Sequence, residues 1–222
     1  MSNEAAAAAE GGDGRPDTKE LILDAAVKLF ASRSYSSVSL RELTAAAGVN
    51  LAAVNYHFGS KDALLTAVFR RGAVTLNKER ARLLREAEEK AGGTPPVRDI
   101  LHALIAPAIR WSLGSDRLAL YNQFMAVART DGPPEMRELV EKDVAHLQRF
   151  VLPLARALPH LPQEEVYWRL HFAMGVLHSV YTDLRRLETL SGGLCTAEDA
   201  DALIDRAVDY ALAGFEAPYK PR

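Results

Sequence analysis

Apolar side chains recur at helical spacing along almost the whole chain from Asp17 onward, with polar side chains on the opposite faces. The first such segment is predicted to begin near Asp17 or Thr18 and to end in the serine-rich stretch Ser32–Ser37. Its apolar face consists of Leu21, Ile22, Ala25, Ala26, Leu29 and Phe30. Because no segment shows a convincing strand pattern, the sequence predicts an all-α fold of about nine helices.

Two short helices joined by a glycine turn follow this first helix. Leu40–Ala47 is predicted to begin after Ser39, because a glutamate three residues further on completes the spacing of a capping box. Gly48 can adopt the left-handed backbone of a tight turn, and Asn50 is a good N-cap for the helix Leu51–His57. Such a pair is the smallest unit that presents a helix to the DNA major groove. An ordinary helical hairpin is the alternative, but the caps and the turn agree with the DNA-binding arrangement.

The second short helix carries side chains suited to DNA. Asn55 can form paired hydrogen bonds with an adenine edge, although a capping or solvent-facing amide explains it equally well. Lys61 and its aromatic neighbours suit phosphate oxygens, and an exposed solvated lysine is the alternative for Lys61. The candidate DNA-binding residues are Ser39, Asn50, Leu51, Ala52, Ala53, Asn55, Tyr56, His57 and Lys61.

The remainder of the chain is predicted to form longer helices. A helix from Lys61 to about Lys90 ends at residues 92–96 (GGTPP), and its charged half, residues 78–90, is predicted to be a solvated face with internal ion pairs. An amphipathic helix bent at Pro107 follows. The next helices are predicted at residues 116–128, 135–152 and 164–190, and Thr196 is predicted to cap the last helix, whose apolar stripe runs from Ala200 to Phe215.

Aromatic, methionine and histidine side chains of these later helices can line an apolar cavity, although core packing is the more common role of any single one. His171 and His178 lie two helical turns apart, so a ligand or metal site is conceivable, but hydrogen-bonded histidines are favoured and no metal is expected. The candidate ligand-binding residues are Trp111, Tyr121, Phe124, Met125, Phe150, Trp168, His171, Met174 and His178.

Composition narrows the possible classes of protein. The chain has 222 residues and one cysteine, which excludes an intramolecular disulfide framework and fits a cytoplasmic protein. No apolar run is long enough to span a membrane. The formal net charge of −2 argues against a nucleic-acid ligand, but residues 15–71 carry eight basic and five acidic side chains and are therefore modestly basic. The low-complexity residues 1–16 are predicted to be a disordered tail.

The segment SLRELTAAAGVNLAAVNYHFGSKDALLTAVF resembles the DNA-binding region of the TetR family of transcriptional repressors, and the preceding LILDAAVKLFASRSYSSVS resembles that family's first helix. The resemblance implies a three-helix DNA-binding head (residues 17–70) and a helical ligand-binding and dimerisation body (residues 71–222). It also implies that the last two helices pair with those of a second subunit. The candidate dimerisation residues are Phe172, Val176, Val180, Leu203, Ala207, Tyr210 and Ala211.

These observations predict a homodimeric transcriptional repressor that a small-molecule effector releases from a palindromic operator in double-stranded DNA. A regulator that activates transcription, or that needs no ligand, is an alternative. A helical enzyme using His171, His178 or Glu188 is a further alternative, but no nucleophile is paired with a base and no phosphate-binding glycine loop is present. No cofactor is expected.

Overall fold

The computed structural model describes residues 17–114, 117–197 and 199–221; the predicted tail, residues 1–16, lies outside this part of the chain. The described residues form eleven α-helices and one short 3₁₀-helix, Tyr35–Ser37. No strand occurs among them, which confirms the predicted all-α fold. Two of the nine predicted helices are each divided in two, and this accounts for the higher number.

Three helices form the N-terminal head: α1 (Thr18–Ser32), α2 (Leu40–Ala47) and α3 (Leu51–Phe58). The predicted cap at Asn50 is confirmed, because its side chain accepts a backbone N–H bond at the first turn of α3, and Asp17 caps the first turn of α1 in the same way. Ser39 and Glu42 form the predicted capping box. Gly48 ends α2 with φ of 66°, a conformation that glycine adopts without a steric penalty.

The long helix α4 (Lys61–Ala91) leads from the head into the body. Ser60 caps its first turn, and Gly92 ends it in the left-handed conformation. The predicted boundary at residues 70 and 71 falls inside this continuous helix, so the division into two domains does not coincide with a break in the chain. The following helices are α5 (Val97–Leu113), which contains Pro107, and α6 (Arg117–Asp131).

Two long predicted helices are wrong as single elements. Residues 135–152 belong to α7 (Pro134–Lys142) and α8 (Ala145–Ala157), and residues 164–190 belong to α9 (Gln163–Thr182) and α10 (Leu184–Leu190). The breaks occur at Asp143, where ψ is 68°, and at Asp183, where φ is −127°. Aspartate has a low propensity for helix interiors, so it is a suitable residue at which a helix ends. Because each break is short, the apolar periodicity on both sides of it stays intact.

The last helix, α11 (Ala200–Glu216), begins one turn later than its predicted cap requires. The side chain of Asp199 accepts hydrogen bonds from the backbone nitrogens of Asp201 and Ala202. Asp199 is therefore the N-cap, and the prediction for Thr196 is wrong. A capping side chain must lie directly before the first turn to reach those N–H groups, and Thr196 is three residues too early.

The body is built around α5. Five of its large apolar side chains are almost completely buried: Ile100, Leu101, Leu104, Ile105 and Ile109. This helix packs against α4, α6, α8, α9 and α11. Arg169 of α9 is 7% exposed and donates hydrogen bonds to the carbonyl oxygens of Phe215 and Ala217, which ties the C-terminal end of α11 to α9.

Head and body share one apolar core, and polar contacts also link them. Arg71 of α4 forms ion pairs with Glu20 and Asp24 of α1, and Asp131 at the end of α6 accepts a hydrogen bond from the backbone nitrogen of Tyr35. These contacts tie α4 and α6 to the head. Within the described ranges, no helix is both long and apolar enough to cross a bilayer.

Candidate DNA-binding surface and ligand cavity

The outer surface of α3 holds most of the predicted DNA-binding residues. Its inner side is anchored by Val54, which is fully buried, as is Leu43 of α2. Tyr56 is 85% exposed and Leu51 is 49% exposed, and Asn55 is exposed on the same helix. Ala52 is exposed as well, whereas Ala53 and His57 are partly buried. The helix thus offers a solvent-facing surface on a well-packed base.

Two of the predicted DNA contacts also have structural roles at the helix starts. The Asn50 side-chain oxygen accepts a hydrogen bond from the backbone nitrogen of Ala53, 2.9 Å away, so the amide NH₂ group is the part of Asn50 that can meet DNA. Ser39 donates to a carboxylate oxygen of Glu42 and accepts from its backbone nitrogen. Hydrogen bonds from Arg33 and Ser39 lower the pKa of Glu42 to about 2, so this cap stays charged.

Lys61 is not the freely solvated cation that the sequence allows as an alternative. Its Nζ lies 4.0 Å from the centre of the Tyr35 ring and donates a hydrogen bond to the Tyr35 carbonyl oxygen. Partial burial lowers the pKa of the Lys61 ammonium group. The Tyr35 hydroxyl in turn donates to Asp62. Lys61 therefore joins α4 to the 3₁₀-helix of the head, whatever it contributes to DNA.

A cavity of about 150 Å³ lies in the body between α4, α6, α9 and the junction of α7 and α8. Of the nine predicted ligand-binding residues, four line it: Tyr121, Met125, Met174 and His178. Its remaining wall is mostly apolar and includes Leu76, Val140 and Leu147. A concave, largely apolar space with a few polar groups is typical of small-molecule sites.

The other five predicted ligand-binding residues do not line this cavity. Phe124 and Phe150 are buried in the apolar core, and Trp111 packs edge-on against Tyr121 and borders a neighbouring groove along α4. Trp168 and His171 lie on the exposed side of α9. Helical spacing identifies apolar faces, but it does not distinguish a cavity wall from solid core or from an outer surface.

Polar residues that the sequence reading did not select also border the cavity. Arg80 is 4% exposed and donates from Nε to the Leu104 carbonyl oxygen, 2.9 Å away. Asn122 is buried and donates to the Ala108 carbonyl oxygen and the Ser112 hydroxyl. One signal was available for Arg80: it lies midway between Leu76 and Leu84 on the apolar stripe of α4, where a charged side chain is unusual.

Gly72 of α4 permits the close approach of Tyr121 to the cavity wall. A Cβ atom at this position would lie 1.8 Å from Cε2 of the Tyr121 ring, far inside van der Waals contact. The Tyr121 hydroxyl donates to the Phe69 carbonyl oxygen one turn earlier on α4. Gly72 is therefore selected by packing rather than by backbone conformation.

The predicted dimerisation residues fall into two groups. Phe172 of α9 and Tyr210 of α11 are 64% and 73% exposed, and Trp168 stacks on Phe172 with ring centres 6.0 Å apart. Val176, Val180 and Leu203 are partly buried. The remaining two, Ala207 and Ala211, are each 5% exposed and face the interior of their own subunit, so they are not part of the exposed apolar surface.

The residues of the enzyme alternative are not brought together. His178 borders the cavity, His171 packs against Trp168 and Phe172, and Glu188 is exposed on α10. In the part of the chain that the structure describes, no group of three or more side chains is arranged to hold a metal ion.

Two protein-family models match this chain. The family model described as "Tetracyclin repressor-like, C-terminal domain" matches residues 102–214, about half of the chain, and the one described as "Bacterial regulatory proteins, tetR family" matches residues 22–68. The chain belongs to the TetR family of transcriptional regulators. This confirms the resemblance of the head segment and extends the family relationship to the body.

Curated relatives match the TetR-family chain over a short segment. An HTH-type transcriptional repressor of Mycobacterium tuberculosis is 44% identical over 55 residues, which are 25% of this chain and 29% of the relative. The HTH-type transcriptional regulator AcrR of Shigella flexneri is 40% identical over 53 residues, or 24% and 25% of the two chains. The matched segments thus span between a quarter and a third of the length of these relatives.

Solved structures share the fold over nearly the whole chain. The regulator FadR from Bacillus subtilis, crystallised in complex with stearoyl-CoA, has a TM-score of 0.62 at 15% identity and covers 88% of this chain and 98% of its own. A TetR-like regulator from Rhodococcus sp. RHA1 has a TM-score of 0.61 at 18% identity and covers 92% and 98%. At this level of identity, the likeness shows the TetR-family fold alone.

Proposed function

We propose that this TetR-family chain is a homodimeric DNA-binding repressor that a small-molecule effector releases from a palindromic operator in the cytoplasm. The observation that carries the proposal is the outward surface of α3, whose exposed side chains rest on a capped and fully packed two-helix unit. Such a helix is a reading element when it enters the major groove.

Direct reading of bases is assigned to Asn55, with Ala52 and Leu51 in apolar contact and Tyr56 at the phosphates. Selection of bound sequences from a random DNA pool should return a two-fold symmetric consensus with half-sites about 34–36 Å apart, or a multiple of that distance. We expect Asn55→Ala to relax the consensus at one base per half-site, at a cost of about 1–3 kcal/mol. Gln163→Ala, which removes an exposed amide at the start of α9, is the control.

Lys61 is proposed to contribute through its charge rather than through base recognition. We expect Lys61→Ala to weaken binding to all sequences alike. The slope of the logarithm of the binding constant against the logarithm of the salt concentration should fall by about 1, which corresponds to the loss of one phosphate contact. Fluorescence anisotropy over a range of salt concentrations measures this slope. An unchanged slope would restrict Lys61 to its contact with Tyr35 inside the head.

Dimerisation is assigned to the exposed apolar surface of α9 and α11, because large exposed apolar patches mark interaction sites. Phe172 and Tyr210 are its most exposed members. Sedimentation velocity should show a dimer for the unmodified protein and a monomer for Phe172→Glu, with a large loss of operator affinity. Leu190→Glu, at an 83% exposed position outside this surface, should leave the dimer intact. Operator binding by a monomeric protein at full affinity would contradict the proposal.

The effector site is assigned to the cavity beside Tyr121, Met125, Met174 and His178. Two cavity-lining helices also reach the head: α4 continues into it, and α6 ends at Asp131, which accepts from the backbone of Tyr35. A ligand that binds one arrangement of these helices more tightly shifts the separation of the two heads. Equal head separation in the effector-bound and DNA-bound dimers would refute this mechanism.

A further inference from the structure

A wide groove runs along α4, with α7 and α8 on its opposite wall and α5 at one side. Its volume is about 1420 Å³, and its lining contains seven cationic side chains but only two carboxylates. This imbalance occurs on a chain whose formal net charge is −2. We call it the basic groove; its cations are Arg70, Lys78, Arg82, Arg85, Arg110, Lys142 and Arg149.

Arg82, Arg110 and Lys142 each form an ion pair with a carboxylate, but the other four cations have no such partner among the described residues. Arg70, Lys78 and Arg85 form no ion pair with any residue that the structure describes, and they lie along one stripe of α4. Glu79 is one of the two carboxylates in the groove, and it is already bound to Arg82 at 2.6 Å. Concave surfaces lined by one sign of charge concentrate the field and attract ligands of the opposite sign. The basic groove is therefore suited to a ligand with several negative charges.

The basic groove and the cavity share one wall. Phe69, Ala73, Asn77, Asp143 and His146 border both spaces. The groove thus adjoins an apolar space of about 150 Å³, and cavities of that size in proteins accommodate a molecule as large as benzene. Asn77 lies at the junction, where its amide can donate a hydrogen bond to a carbonyl group that connects two parts of a ligand.

From this arrangement we infer that the effector is an amphiphilic organic anion, with a phosphate-bearing head in the basic groove and a short apolar arm of about six carbon atoms in the cavity. The inference rests on the proposed ligand response and specifies its chemistry. Arginine and lysine side chains bind phosphate oxygens through charge-assisted hydrogen bonds. The small volume of the cavity limits the length of the apolar arm, and the cations of the groove favour a negatively charged head.

Titration calorimetry of the full chain with coenzyme A and its acetyl, butyryl, hexanoyl and palmitoyl thioesters tests both parts. We expect coenzyme A to bind, and each buried methylene to tighten binding about fourfold up to the hexanoyl arm. The palmitoyl thioester should bind no more tightly than the hexanoyl one. Hexanoate alone should bind at least tenfold more weakly, and raising the salt concentration should weaken every thioester.

Paired variants separate the groove from the cavity. Lys78→Gln combined with Arg85→Gln should lower the affinity for coenzyme A at least tenfold. Lys90→Gln combined with Arg156→Gln makes the same change in net charge at exposed positions outside the groove, and should alter affinity less than twofold. Ala73→Leu should keep coenzyme A binding and remove its dependence on arm length. Thermal unfolding of each variant verifies that it is folded.

Binding and release of DNA are measured separately, so the two proposals fail in different ways. Equal affinities for hexanoate and hexanoyl-coenzyme A, or an unaffected Lys78 and Arg85 double variant, would overturn the inferred ligand class. Release of DNA by an uncharged apolar molecule but not by the thioesters would also overturn it, while supporting the proposed ligand response. Thioesters that bind as expected but leave DNA bound would support the ligand class and contradict the response.

Discussion

Replacement of Arg169 by methionine tests how the C-terminal helix is held against the body. The guanidinium group is 7% exposed and donates to the carbonyl oxygens of Phe215 and Ala217 at 2.7 and 2.8 Å, and to Glu165 at 2.9 Å. Those two carbonyls lie in and just beyond the last turn of α11, where no intrahelical donor is available. Methionine keeps the apolar stem of the side chain but supplies no donor.

The expected loss follows from these three bonds. A hydrogen bond to a charged group contributes about 1.5–3 kcal/mol, and removing one partner of a fully buried ion pair costs about 3–5 kcal/mol. Because Glu165 is 28% exposed and Ala217 is exposed, water replaces part of what is lost. We expect Arg169→Met to lower the free energy of unfolding by about 3 kcal/mol. For a chain of this size, that corresponds to a fall of about 6–12 °C in the melting temperature.

Calorimetry and urea unfolding measure this loss at one fixed protein concentration, since the proposed dimerisation would make the melting temperature depend on concentration. Arg185→Met, at an exposed position on α10, is the matched control and should change stability by less than about 0.5 kcal/mol. Adding Glu165→Gln to Arg169→Met should recover part of the loss, because the uncompensated carboxylate is then absent. A loss below 1 kcal/mol for Arg169→Met would refute the assigned role in holding α11.

Two further perturbations test local features. Gly72→Ala should destabilise the protein by about 1–3 kcal/mol in thermal unfolding, because the new methyl group collides with the ring of Tyr121. The control Gly175→Ala, whose methyl group meets open space, should be neutral or stabilising. Equal effects of the two substitutions would contradict the packing role of Gly72. Hydrogen bonding to Arg33 depresses the pKa of Glu42 to about 2, so its contribution to stability is complete above its ordinary pKa of 4.5 and is lost as the pH falls toward 2. The urea midpoint should therefore fall less between pH 5 and pH 2 in Glu42→Gln than in the unmodified protein, and identical pH profiles would contradict this assignment.

Local signals were sufficient to predict the DNA-binding head. The caps at Ser39 and Asn50 and the left-handed Gly48 are each decided by residues within one turn of the position they occupy. The same reasoning missed Asp143 and Asp183, where a helix ends and another begins with little change in apolar periodicity. Such a short break leaves the apolar periodicity almost unchanged, so the pattern along the chain does not reveal it.

Sites in the body depended on contacts between distant segments. Tyr121 and Phe124 both read as apolar positions on α6, yet one borders the cavity and the other is solid core. The charged half of α4 reads as a solvated face, and the predicted ion pairs of Arg82 with Glu79 and Glu86 are present. Lys78 on the same stretch nevertheless lines a groove whose other wall comes from α7 and α8, about sixty residues away in sequence.

By itself, the sequence determined the helical class, the starts and ends of the head helices and the family to which the chain belongs, because periodicity, capping and the motif around Tyr56 are properties of neighbouring residues. Only the tertiary structure decided which apolar side chains surround a cavity, that Arg80 is buried beside it, and that exposed cations converge on one groove. Those features arise where helices that are remote in sequence pack together, and the spaces they leave depend on the crossing of whole helices rather than on the pattern along any one of them.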